Sequence, residues 1–266
     1  MAPGRSGLAA VVAALLLVAG CRTPELQVRD GEHRGGDPLR IVVAPMNLPL
    51  RLAFDLEDAV DPVTQELVRY LQAADARVSV IFGPDAWSLW RASAEALQEA
   101  REEPLDVAAV ASVFARGLAR ESAFDLLVLP SLVYRDAEVM GRHAQWDGVR
   151  RRIRFRIPPG APLGRVAPPA DPVASGPGSA AGPVIPDYRG RITALSLHAL
   201  VFTPDGRGVF QGFGGLDLVH DTVQPREGSV DTSVLRLRTR LLENPEYVRE
   251  GVAHALSPYL VESLAR

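Results

Sequence analysis

The stretch Phe124-Asp-Leu-Leu-Val-Leu-Pro130 limits the fold more than any other part of this 266-residue chain. A strand with one solvated face alternates apolar and polar side chains. This one does not, so it belongs in the middle of a sheet covered on both faces, and it reads on through Tyr134 toward Val139. Such a sheet needs helices, and the residues ahead of the stretch supply them. Leu39-Arg-Ile-Val-Val-Ala44, ended by Pro45, is a short β-branched run that reads as a buried first strand. Asp61-Pro62 offers an N-cap with proline at the first helical position. Val63, Leu67, Tyr70, Leu71 and Ala74 then share one helical face. Val78 to Phe82 reads as a strand. Trp87, Trp90, Ala94 and Leu97 recur at helical spacing, as do Val107, Val110, Phe114 and Leu118 after Pro104, and both tryptophans read as core anchors. The order β-α-β-α-α-β argues for an α/β layered domain.

The second half reads as long strands. Val149 to Ile157 alternates, Arg191 to Thr203 is a second strand, and Pro204-Asp-Gly-Arg-Gly208 turns it back into Val209 to Val219. Gly212, Gly214 and Gly215 in the return strand point to a bulge or close backbone packing. Asn244-Pro245 opens a closing helix with Val248, Val252, Leu256 and Leu260 one turn apart, which Pro258 should kink. The expectation is one α/β domain over residues 39–266 with a mixed sheet, in the order β-α-β-α-α-β-β-β-β-α. Residues 158–187 interrupt it with nine prolines and five glycines. Such a segment buries too little apolar surface to offset its ordering entropy, so it reads as a disordered Pro/Gly/Ala-rich insertion.

Few residues suggest chemistry. In Val149-Arg-Arg-Arg-Ile-Arg-Phe-Arg-Ile157, alternation sets Arg150, Arg152, Arg154 and Arg156 on one face. Together they form a possible anion-binding ladder for phosphates or carboxylates; the alternative is a solvated face that discourages edge pairing. His198 lies in an apolar strand and reads as a hydrogen-bonded core histidine. Asp217, His220 and Asp221 are the only compact acid and imidazole group, and no nucleophile-elbow serine accompanies them. The five histidines and single cysteine show no metal-ligand spacing, so neither a metal nor another cofactor is expected. Gly212-Phe-Gly-Gly215 lies within a strand, which removes the phosphate-loop reading. A net charge of −3 argues against a nucleic-acid partner.

That cysteine is informative by position. Arg5, an apolar run from Leu8 to Ala19, and the small residues Ala19-Gly20 have the three-part form of an export signal. A run of roughly twelve apolar residues is too short to stay as a spanning helix. Val18-Ala19-Gly20-Cys21 resembles the lipobox of bacterial lipoproteins. The resemblance implies cleavage between Gly20 and Cys21, removal of residues 1–20, a diacylglycerol thioether on Cys21 and fatty acylation of the new amino terminus. Two or three acyl chains hold stably where one is marginal. If the cell has two membranes, Arg22 is not the aspartate of an inner-membrane retention signal, which points to the outer membrane, facing the periplasm. Residues 21–38 read as a flexible tether, of which Arg22 to Asp37 could reach at most roughly 50 to 55 Å.

With the order read, the body also resembles the α/β domain of curli secretion-channel lipoproteins, the amino-terminal domain of the TolB translocation protein and lipoprotein activators of penicillin-binding proteins. The residues behind this are Ile41-Val-Val-Ala-Pro45, Leu126-Leu-Val-Leu-Pro130, Pro204-Asp-Gly-Arg-Gly208 with Val209-Phe-Gln-Gly212, and the closing helix. The resemblance implies a non-enzymatic binding or assembly module in the periplasm. It would be held to the membrane by its acyl chains, with an envelope protein or anionic glycan as partner. Two alternatives stay open: an envelope hydrolase using Asp217 and His220, and a polyanion-binding lipoprotein using the Arg150 to Arg156 strand.

Overall fold

A computed structural model describes residues 38–50, 53, 56–74, 76–81, 83–99, 106–153, 155–156, 189–223, 234–238 and 240–257. The expected signal, the tether up to residue 37, Arg154, the insertion at 158–187, Pro258 and Leu260 lie outside the described residues. The chain proceeds through β1 (Arg40–Val43), α1 (Glu57–Ala73), β2 (Arg77–Val80), α2 (Gly83–Glu99), α3 (Val107–Glu121), β3 (Leu126–Met140), β4 (His143–Trp146), β5 (Val149–Arg152), β6 (Phe155–Arg156), β7 (Arg189–Phe202), β8 (Gly208–Leu218), β9 (His220–Val223), β10 (Val234–Leu237) and α4 (Pro245–Leu256).

The α/β class with a mixed sheet is as expected. β1 pairs in parallel with β2 and β3, while β7 runs antiparallel to β3 and β8 antiparallel to β7. The step from β1 to β2 and the step from β2 to β3 move in opposite directions across the sheet. Crossovers of one hand therefore place α1 on one face and α2 with α3 on the other. Alternate residues of the central strands divide accordingly. Ile41, Val43, Leu126, Val128, Leu195 and Leu197 pack with α1 and α4, whereas Val42, Leu127 and Leu129 pack with Phe114 and Leu118 of α3. This two-sided burial is what the uninterrupted apolar run of β3 requires.

Pro130 sits in that central strand without breaking a ladder. Val128 and Pro130 accept from Ala44 and Asn47 along the β1 edge, and the Leu132 N–H points to the same edge, so the missing Pro130 N–H would face β1 and not β7. β1 has already ended there. Asn47, buried with φ 58°, completes the edge by side chain: its amide donates to Leu132 O at 3.0 Å and accepts from Leu132 N at 2.8 Å.

Beyond the helices β3 continues outward, pairs with β4, and β4 pairs with β5. Two tight turns make this possible. Gly141 (φ 60°) occupies the first loop position after β3, and Asp147 (φ 36°) with Gly148 (φ 81°) form the left-handed pair that joins β4 to β5. The β4–β5 hairpin folds onto β7 and β8, where Trp146 Nε1 donates to Ser196 Oγ at 3.1 Å and Gly215 N donates to Asp147 O at 3.1 Å. A third cluster, including Val139, Trp146, Val149, Ile153 and Leu218, fills this strand-only end.

Four expectations need correction. α1 begins at Glu57, so Asp61-Pro62 lies inside the helix and not at its start. Buried Leu56 anchors the entry, Glu57 and Asp58 oppose the helix dipole, and Pro62 removes a single backbone donor near the beginning. The strand expected from Val149 to Ile157 breaks at Ile153: β5 stays in the main sheet, and β6 joins β9 in a separate sheet of order β10-β9-β6. The strands β4, β9 and β10 are additional to the expected order. Trp90 meets Phe114 edge to face at 5.6 Å, but Trp87 is 47% exposed and anchors nothing in the core.

Candidate functional site

The main sheet and the smaller sheet meet beneath α4. β8 carries Asp217 and Leu218 to its end, the chain turns at Val219, and His220 begins β9. The register shift near Leu195 and Ser196 leaves Leu216 unpaired, which re-aims the end of β8. α4 approaches closely because β8 has glycines where it crosses. A Cβ on Gly214 would lie 1.8 Å from Gly251 O, and one on Gly212 would lie 2.3 Å from Ala255 O. Close packing and a bulge, the two readings of the glycine run, both occur.

The cleft at this junction measures about 20 Å³ and is partly open to solvent, room for a water or for the head of a larger group. Arg151 and Arg152 of β5, Asp217 and Leu218 of β8, His220 of β9, Arg238 and Tyr247 line it. Two groups singled out separately in the sequence, the arginine strand and the Asp217/His220 pair, thus reach one place. Asp221 follows in β9, next to His220.

Asp217 and Arg238 form a buried ion pair, 6% and 7% exposed, with Arg238 Nη1 donating to Asp217 Oδ1 at 2.5 Å. Leu218 N also donates to Oδ1 and Leu242 N donates to Oδ2, each at 2.8 Å. Both carboxylate oxygens are therefore engaged in holding Arg238 and Leu242 against the sheet. His220 Nδ1 is buried and meets no hydrogen-bonding partner among the described residues.

Arg151 is the group that the sequence reading missed. It is 5% exposed, on the face shared with Val149 and Ile153, while Arg150 and Arg152 are exposed on the other. Arg151 Nη1 donates to Glu250 Oε2 at 2.6 Å, and its guanidinium carbon lies 4.1 Å from the Tyr247 ring centroid. Its Nε and Nη2 find no acceptor among the described residues. The signal was present in the alternation itself, since the odd-numbered face of the strand reads Val149, Arg151, Ile153. Of the remaining ladder, Arg156 belongs to β6 in the second sheet, so the four arginines do not follow one continuous strand.

A second polar group holds the β4–β5 hairpin. Arg135 pairs with Asp147 at 3.2 Å, Asp147 accepts from Ser196 at 2.7 Å, and Arg135 lies 4.5 Å over Phe213. His198 stacks on Phe213 with centroids 4.3 Å apart, and its Nε2 is 3.0 Å from Gln211 Nε2. It is half-buried at a strand surface instead of enclosed. Burial, then the neighbouring Arg135 charge, hold the His198 imidazole below its usual range, against an opposing pull from Asp147. Among the described residues, no three His, Cys, Asp or Glu side chains gather as a metal site would need. No protein-family model matches the chain, and no curated protein matches it.

Proposed function

We propose that the chain is a lipid-anchored envelope lipoprotein whose α/β body is a non-enzymatic binding or assembly module facing the periplasm. The observation that carries this reading is the place of the single cysteine, at the end of a short apolar run and directly after Val18-Ala19-Gly20. Acyl chains on Cys21 would hold the body at the membrane, and the polar residues that follow would let it stand off. The hydrolase alternative needs Asp217 to act as a base or to orient His220, and both Asp217 oxygens already accept hydrogen bonds from Arg238 and two backbone amides. Fractionation of cells producing the Cys21→Ala variant tests the anchor. The wild-type protein should be in the membrane fraction, and the variant should accumulate as unprocessed precursor without lipid label. A variant that still matures and stays with the membrane would overturn the reading.

One observation favours a polyanion as the bound component. Arg150 and Arg152 are exposed, and no acid among the described residues pairs with them. Exchange of Arg150, Arg152, Arg154 and Arg156 for serine should weaken binding to anionic glycan or lipid, with the difference shrinking as salt rises. Unchanged affinity would make these arginines a solvated face.

A further inference from the structure

We propose that the cavity beneath α4 is a receptor for one carboxylate, gripped side-on by Arg151. A guanidinium has two edges suited to paired acceptors, and the Nε–H and Nη2–H bonds of one edge are parallel. In Arg151 that edge is empty among the described residues, although the side chain is 5% exposed and lines the cavity. Nη1 is committed to Glu250 and one ring face to Tyr247, so the group is fixed before any ligand arrives. A buried cationic donor left without an acceptor is unfavourable, and an arriving acceptor removes that penalty.

The lining selects the class of anion. Three arginines line the cavity; Arg238 is met by Asp217 and, at 3.7 Å, by Glu243, while the exposed Arg152 meets no acid among the described residues. Glu250 takes part of the Arg151 charge but is 46% exposed and screened by water. The site therefore calls for one further negative charge, and a doubly charged phosphate would meet repulsion from Glu250. The space admits only the head of a ligand, whose body must remain outside beside the exposed Arg152. A planar two-oxygen head matches the fork; a water satisfies the donors without balancing the charge. His220 Nδ1, also buried and unpartnered, is a second group at the same wall.

This deepens the binding-module reading, because it names the chemistry of the partner, yet its test does not depend on the anchor. Sodium acetate is titrated against the full chain at fixed ionic strength, replacing sodium chloride, while the Arg151 Nε–H resonance is followed by nitrogen-15 NMR. The Tyr247 ring identifies that resonance, since Tyr247→Leu removes its ring-current shift. Acetate should move it saturably, and when binding is followed instead at the Tyr247 ring protons, Arg151→Lys, which keeps the charge and loses the fork, should weaken acetate binding about tenfold or more. Arg120→Lys, in the last turn of α3 on the other face of the sheet, should leave acetate binding unchanged. N-acetylglutamate amide and N-acetylglycine, which present a side-chain and a chain-end carboxylate, distinguish the source; saturable binding of either upholds the proposal. No saturable shift with any carboxylate, or an equal response to chloride alone, would overturn it. If Arg151→Lys does not fold, the wild-type titration alone decides. Failure here with Cys21 still lipidated would remove the carboxylate receptor and leave the anchored module standing.

Discussion

At the residue scale, the same side-chain types have opposite assignments depending on what surrounds them. Asp217 looked like a possible catalytic acid or base in the sequence, but its geometry is that of a clamp on Arg238 and Leu242. Asp217→Ala should lower stability by about 1.5 to 3 kcal/mol, because the buried Arg238 loses its nearest carboxylate while Leu218 O and Glu243 stay beside it. Urea unfolding measures this, and a loss below about 1 kcal/mol would show that the pair does not hold the segment. His198 gives a pH effect of defined sign. Its folded-state pKa is lowered, so below about pH 6.5 the unfolded chain binds a proton that the folded chain refuses. This part of the stability is intact above about pH 6.5 and declines as pH falls toward the folded pKa. The drop in urea midpoint between about pH 7.5 and about pH 5 should be smaller for His198→Gln than for wild type. Equal drops would contradict the assignment. Arg151 shows what was legible and overlooked: a charge at an apolar position of an alternating strand is either an error in register or a buried charge with partners. Those partners, Glu250 and Tyr247, are about a hundred residues away, a distance that strand alternation cannot span.

At the element scale, legibility followed periodicity. α2, α3 and α4 were visible from residues recurring at helical spacing, β1 and β3 as uninterrupted apolar runs, and β7 and β8 as the two arms of a turn-bounded pair. Asn244 caps α4 as expected, its Oδ1 accepting from Glu246 N at 3.0 Å. The start of α1 was misplaced because Asp-Pro is a strong local start signal, and a buried Leu56 with two following acids outweighed it. β4, at four residues, is too short to show a period, and it exists because two tight turns bracket it. The break at Ile153 was hidden for the reverse reason: alternation continues across it while the pairing partner changes. The contact between β8 and α4 gives a paired prediction. Gly214→Ala should destabilise by about 3 kcal/mol, the upper end for overpacking, since the added methyl meets Gly251 backbone at 1.8 Å. Gly83→Ala meets nothing within 4 Å and should be neutral or stabilise by about 0.4 to 1 kcal/mol. Thermal unfolding of both variants checks the pair, and similar effects at the two sites would contradict close packing as the reason for Gly214.

At the scale of the whole molecule, a three-layer α/β body extends into a strand-only end, and the arginine-lined cavity lies where that end meets the smaller sheet under α4. The layering was readable from one uninterrupted apolar strand. The cavity was not, because it joins residues from β5, β8, β9, the segment after β10 and α4, and no local pattern relates them. The account of function begins at the other end of the chain, with Cys21 as the first residue of the mature protein. Intact-mass spectrometry of the protein extracted from its native membrane tests this most directly. The account predicts a chain of residues 21–266 carrying a diacylglycerol thioether on Cys21. A mature chain with an unmodified Cys21, or one that retains residues 1–20, would contradict it.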